Sequence, residues 1–275
     1  MSGVTSHAQH RDLETRVPSK PPVRARVVIA AVVCVALTAV SCAPGIGVGV
    51  DLRLIARNWD NGAKRIAQLL HPDFTFFVRT LPQLSQTLQM AFIASIVSAV
   101  ICVPLIFWAA ALSNQNGVGR RITRFIMDVI RAVPDLLYAS ILVAMVGVGP
   151  LPGIIALVLV DIGILVKLLS ESVDALDPGL VEAADSAGAT RWQTNRLMIW
   201  PATVPAYLSQ LLYVLELNVR ASSILGLVGA GGLGLLIDSV RTYYRYDQLS
   251  MIILEILVVV VVLDTLSAAL RRRLI

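Results

Sequence analysis

Runs of about 20 predominantly apolar residues recur along this chain, and that is the length a helix needs to cross the hydrocarbon core of a bilayer. Such a run cannot be a loop or an open strand there, because lipid offers no partner to unpaired backbone N–H and C=O groups. Six candidates lie near Val27–Val48, Leu88–Ala111, Phe125–Val148, Leu151–Leu169, Val204–Leu227 and Met251–Leu270. The third is the weakest. Asp128, Arg131 and Asp135 occupy its first turns, which suits a helix entering obliquely from the interface. The fold class predicted is all-α and polytopic, with about six membrane-crossing helices.

Composition agrees. Of 275 residues 56% are apolar and 15% charged, against roughly 25% charged in a soluble domain. The excess of 23 Lys and Arg over 18 Asp and Glu, a net of +5, is small for a nucleic-acid binder and suits basic flanks of membrane spans, so nucleic acid is excluded as a partner.

Six spans put both termini on one side. With the termini inside, the inner segments carry thirteen Lys and Arg and the outer segments seven, which favours cytoplasmic termini. Residues 1–26, with Pro18, Pro21 and Pro22, read as a disordered cytoplasmic tail, and residues 27–50 as an N-terminal span. Residues 51–86 form an extracytoplasmic segment, in which Lys64, Arg65, Ile66, Leu69 and Leu70 predict a short amphipathic helix. Arg24, Arg26 and the small residues before Cys42 also resemble a signal sequence, but Ala39 stands where a lipoprotein signal has Leu, and an uncleaved anchor is expected.

Several motifs fail on context. Gly229-Ala230-Gly231-Gly232-Leu233-Gly234 fits GxGxxG, yet a dinucleotide site needs a strand before the glycines, and here a span precedes them. Five glycines from Gly226 to Gly234 provide instead either tight packing at a helix end or a hinge or gate, with Gly229, Gly231 and Gly232 as candidates. Cys34, Cys42 and Cys102 form no CxxC pair, and His7, His10 and His71 lie outside the spans, so neither a metal site nor an intramembrane catalytic cluster is predicted.

Charges inside spans are functional candidates by default. Glu216 and Arg220, four residues apart, share a helix face and are expected to pair, with Asn218 on another face. Arg220 is a candidate to help an anion pass, since a guanidinium matches phosphate-like oxygens. Asp161, Lys167 and Glu171 are less telling, and Asp264 lies in the last span, with Ser267 and Arg271 following near its exit.

The polar stretch Glu171–Pro205 reads as a helix end, an Asp177-Pro178-Gly179 break, a short helix Leu180–Ala187, a turn at Gly188, and a further helix ended by Pro201. Within it Glu182-Ala183-Ala184, three residues, Gly188, nine residues and Met198-Ile199-Trp200-Pro201 resemble the EAA loop of permease subunits of ABC importers, here residues 172–203. Met198 and Trp200 replace the usual Ile and Leu of that pattern. Arg131-Ala132-Val133-Pro134, Gly147 to Gly153, Glu216 to Arg220 and Leu225 to Gly234 narrow the likeness to phosphonate-type permeases, over residues 87–275.

The resemblance implies a type I importer core of five spans and a non-catalytic subunit that binds no cofactor of its own. It implies a second copy of the permease, two cytoplasmic ATPase subunits that hold ATP and Mg, and an extracytoplasmic binding protein that delivers a phosphonate or related oxyanion. The chain has no GxxxxGK[ST] loop, consistent with energy supplied by a partner. By this likeness Glu182, Ala183, Ala184, Gly188 and Pro201 couple to the ATPase, and Glu216, Asn218, Arg220 and the three glycines lie on the path or its gate. A permease for another small solute and a secondary transporter are the alternatives; the latter would need a coupling-ion site and paired inverted repeats.

Overall fold

The computed structural model describes residues 25–43 and 51–274. The expected tail before residue 25 and residues 44–50, where the first span was expected to close, lie outside them. The chain divides into two units, Met1–Gly62 and Ala63–Ile275. In the first are α1 (Ala25–Cys42), whose side chains from Val27 to Cys42 are exposed and, apart from Thr38 and Ser41, apolar, and α2 (Leu52–Arg57), capped by the Asp51 carboxylate on the Arg53 N–H. The amphipathic α3 (Trp59–Leu69) begins there and ends in the second unit.

The second unit is a helical bundle built on α4 (Phe77–Ala109), α5 (Gly117–Ala132), α6 (Asp135–Val146), α7 (Pro150–Asp174), α10 (Trp200–Leu225) and α12 (Tyr246–Leu274). Between α7 and α10 lie two short helices, α8 (Gly179–Ser186) and α9 (Arg191–Thr194), and between α10 and α12 lies α11 (Leu233–Thr242). Four helices among the described residues are long and apolar enough to cross a bilayer: Phe74–Ala109, Pro150–Asp174, Arg191–Val228 and Tyr246–Arg272. The weak third candidate is two helices with a sharp bend between them. α5 and α6 meet at 83°, because Pro134 lacks the N–H an unbroken helix would use and biases Val133 to extended backbone (ψ 126°). The apolar part of the first span, Val27–Cys42, is a shorter helix than the other spans.

α4 lies against α7 along much of its length. Between buried Met90 and Ile106 its buried face is made of small residues, Ala91, Ala94, Ser95, Ser98, Ala99 and Cys102, which let the backbones approach where lipid gives no hydrophobic drive to associate. Gly163 of α7 serves the same end: a β-carbon there would sit 3.4 Å from Cβ of Arg131 on α5. α3 is joined to the far end of the bundle, its Arg65 guanidinium standing about 5 Å over the rings of Tyr244 and Tyr246.

Candidate functional site

The short helix of the loop forms almost where the sequence placed it, over Gly179–Ser186. It ends in a Schellman motif: the Gly188 N–H donates to the Asp185 carbonyl, the Ala189 N–H to the Ala184 carbonyl, and Gly188 takes φ +75°. The turn therefore needs glycine for its backbone rather than for space, since a β-carbon at Gly188 would meet no atom within 4 Å. Val181 and Ala184 face the core, whereas Glu182, Ala183 and Gly188 are exposed. Across the turn Arg191 pairs with Asp185 at 3.3 Å, and Thr190 with Gln193 forms a capping box that starts α9.

Pro201 does not end the following helix. Residues Asn195–Ile199 form a π-turn in which the Trp200 N–H reaches the Asn195 carbonyl, and the helix runs on from Arg191 to Val228. A π-turn admits a proline because it re-spaces the carbonyls that the missing N–H would have bonded. In the Met198-Ile199-Trp200-Pro201 segment Ile199 is fully buried, while Trp200 packs edge-on to Tyr207 at 5.3 Å and beside Phe107.

A clasp that the sequence reading missed holds this end of the bundle together. Asp174, the last residue of α7, pairs with Arg124 of α5 and accepts the Ala111 and Leu112 N–H groups, while the Arg124 Nε donates to the Ala109 carbonyl at 2.8 Å. One carboxylate thus ties the start of the loop to the α4–α5 turn. A second missed feature lies deep between the helices. Asp161 on α7 is 2% exposed, and its Oδ2 accepts from Asn218 Nδ2 at 2.6 Å and from Ser98 Oγ at 3.3 Å. The Asn218 amide also donates to Ser95 Oγ, so α4, α7 and α10 are joined by one network.

The path candidates are not brought together as expected. Glu216 and Arg220 do not pair with each other: Glu216 binds Arg271, and Arg220 binds Asp264 at 3.3 Å. Both lie on the α10 face that meets the antiparallel α12, whose own acid and base offer each a cross-helix partner of opposite charge. Asn218 points the other way, into the core. Gly229, Gly231 and Gly232 sit past the end of α10, in a stretch tied by hydrogen bonds to neighbouring segments. All three have positive φ, the Gly149 N–H donates to the Gly229 carbonyl, and the Gly232 and Leu233 N–H groups are held by Gln86 and Thr87 of α4.

Residues 102–275 match the family described as binding-protein-dependent transport system inner membrane component. The chain belongs to this family. As a member it is a multi-pass permease subunit and not itself an enzyme. Among its relatives, a phosphite transport system permease protein of Stutzerimonas stutzeri is 33% identical over 77% of this chain and 78% of that one. The phosphate-import permease protein PhnE of Mycolicibacterium smegmatis is 36% identical over 70% of this chain, which spans only 36% of that longer protein. A chain of the MetNI methionine ABC transporter has the same fold, at a TM-score of 0.66 and 19% identity, covering 74% of this permease and 99% of that chain.

Proposed function

We propose that this permease forms the membrane pathway of an ATP-driven importer whose cargo is a phosphorus oxyanion, such as phosphate, phosphite or a phosphonate. The relatives named for phosphate and phosphite support the cargo class. Two copies would enclose the path in a bacterial cytoplasmic membrane, with both termini and the loop 172–203 on the inner side. Two ATPase subunits would grip the loop, and an extracytoplasmic protein would deliver the anion. ATP and Mg belong to the ATPase, where they would supply the energy of closure.

The observation that carries the mechanism is the uninterrupted helix Arg191–Val228. One continuous helical rod runs from the platform to the glycine loop, so a push on one end is carried to the other. At the gripped end the Schellman turn fixes the angle between α8 and α9, and exposed Glu182 and Ala183 present the docking surface, Glu182 as a charged hydrogen-bond acceptor. Ala184 faces inward and couples that surface to the bundle. Pro201, set just after the π-turn, marks an irregular stretch near the rod's start, with Pro205 one turn further on. At the far end Gly229, Gly231 and Gly232 hinge or gate the path, and Arg220 contacts the anion.

The test is ATP-dependent uptake in proteoliposomes holding the permease, its ATPase and its binding protein, with radiolabelled phosphate, phosphite and methylphosphonate. Accumulation of at least one of these, lost when the ATPase is omitted, is expected. Uptake that persists without the ATPase overturns the importer reading, and uptake of glycine betaine or methionine alone overturns the cargo.

A further inference from the structure

Beside the π-turn, where α4 ends, the bundle holds a cavity of about 490 Å³, within the roughly 300–1,000 Å³ of small-ligand sites. Three of the chain's four tryptophans line it: Trp108, Trp192 and Trp200. Trp108 and Trp192 are 66% and 72% exposed, as rings are that sit at the level of lipid headgroups. Arg196 stands on its wall with no carboxylate partner among the described residues, while its neighbour Arg191 is already paired. Two further polar groups in the lining are unsatisfied. Ser113 is 6% exposed, and its Oγ and the Asn195 Oδ1 are buried without a hydrogen-bond partner among the described residues.

Buried polar groups of native proteins are partnered, so an unpartnered hydroxyl and an unpartnered amide oxygen on residues that line one cavity point to a ligand that completes them. Arg196 and the Ser113 hydroxyl suit a phosphate. Asn195 Oδ1 accepts only, so the same ligand must also carry a donor. The aromatic wall at the bilayer surface suits the glycerol and first methylenes of an acyl chain. We infer that this cavity is a binding site for a phospholipid whose headgroup carries hydrogen-bond donors, glycerol hydroxyls or an ammonium. Choline, which has none, leaves Asn195 unsatisfied. Because Asn195 opens the π-turn and Trp200 closes it, an occupied site stiffens the joint between platform and rod and makes coupling sensitive to the inner leaflet's composition. This rests on the reading that the platform lies at the inner bilayer surface.

The experiment is native mass spectrometry of the detergent-extracted permease–ATPase complex, titrated with phosphatidylglycerol, phosphatidylethanolamine and phosphatidylcholine of identical chains, and separately with glycerol 3-phosphate. Phosphatidylglycerol or phosphatidylethanolamine should be retained about tenfold over phosphatidylcholine, and Arg196→Gln should lower that retention about tenfold, the scale of one charge-assisted hydrogen bond. Asn195→Leu should abolish the preference over phosphatidylcholine. If that variant fails to assemble, Ser113→Ala, which removes only a hydroxyl, must still weaken retention. Equal retention of the three lipids, indifference to Arg196→Gln, or saturation by glycerol 3-phosphate with lipid excluded overturns the site. Lipid retention does not depend on cargo, so this failure is distinct from a failure of phosphorus-oxyanion uptake.

Discussion

At Gly226 a β-carbon would lie 2.4 Å from the Gly231 carbonyl oxygen and 2.5 Å from the Gly234 Cα, while at Gly188, the other glycine-marked end of the rod, it would meet nothing within 4 Å. The first site uses glycine because two backbones touch. The second uses it because a left-handed turn closes α8 and leaves a bare surface outside. One residue type thus answers to packing at one end and to conformation at the other, and the two respond differently to substitution. Gly234→Val, whose β-carbon would press on the Ser223 carbonyl at 2.4 Å, should have the largest effect. Since the obstacle is backbone, the loss should reach or exceed the upper end of the roughly 1–3 kcal/mol that overpacking costs. Little monodisperse protein should be recovered in detergent, and recovery at the wild-type level would show the glycine loop to be looser than its contacts imply.

Between these ends the rod is held by Asn218. Asn218→Leu leaves the Asp161 carboxylate with Ser98 as its remaining donor, and an unsatisfied buried group costs about 1–3 kcal/mol, more when charged. The melting temperature of the purified protein should fall clearly, and Asp161→Leu added to Asn218→Leu should recover part of it, since replacing both partners is milder than stranding one. A double variant no better than the single would mean that the network does more than satisfy itself.

At the open end the effect on stability should be smaller and the effect on function larger. Gly188→Val forces a β-branched residue to φ +75°, a cost of about 1–2 kcal/mol, and places a side chain where the ATPase is proposed to grip. The protein should reach the membrane at normal levels and fail in uptake. Gly188→Asn, which tolerates the left-handed region, isolates the surface from the backbone. Normal stability with lost uptake assigns the defect to docking, and normal uptake by Gly188→Val would break the lever reading.

Much of this was legible in sequence because it is local. The spacing from Glu182 to Pro201 carries the turn, and runs of apolar residues carry the spans. What was not legible depends on partners far along the chain. Asp161 meets Asn218 across 57 residues and Ser98 across 63, and nothing in the residues around Asp161 marks either partner. The expected Glu216–Arg220 pair failed for the same reason, because spacing of four places both on one face but says nothing of an antiparallel helix offering Arg271 and Asp264. Pro201 misled because proline normally ends a helix, and the π-turn that spares it has no sequence signature of its own.

The Arg220–Asp264 pair sharpens the comparison from the side of the rod. Its side chains are 50% and 45% exposed, whereas Glu216, four residues earlier, is 11% exposed against Arg271. If the outward face of Arg220 lines an aqueous path, as proposed, Arg220→Ala should cost no more than about 1 kcal/mol, the ordinary worth of a wetted ion pair, while uptake falls sharply. If that face meets lipid instead, the stranded Asp264 has no water to turn to, and the variant should lose stability that Arg220→Ala/Asp264→Ala restores. Thermal stability and uptake measured on both variants decide between these, because only a residue on the path separates the two readouts.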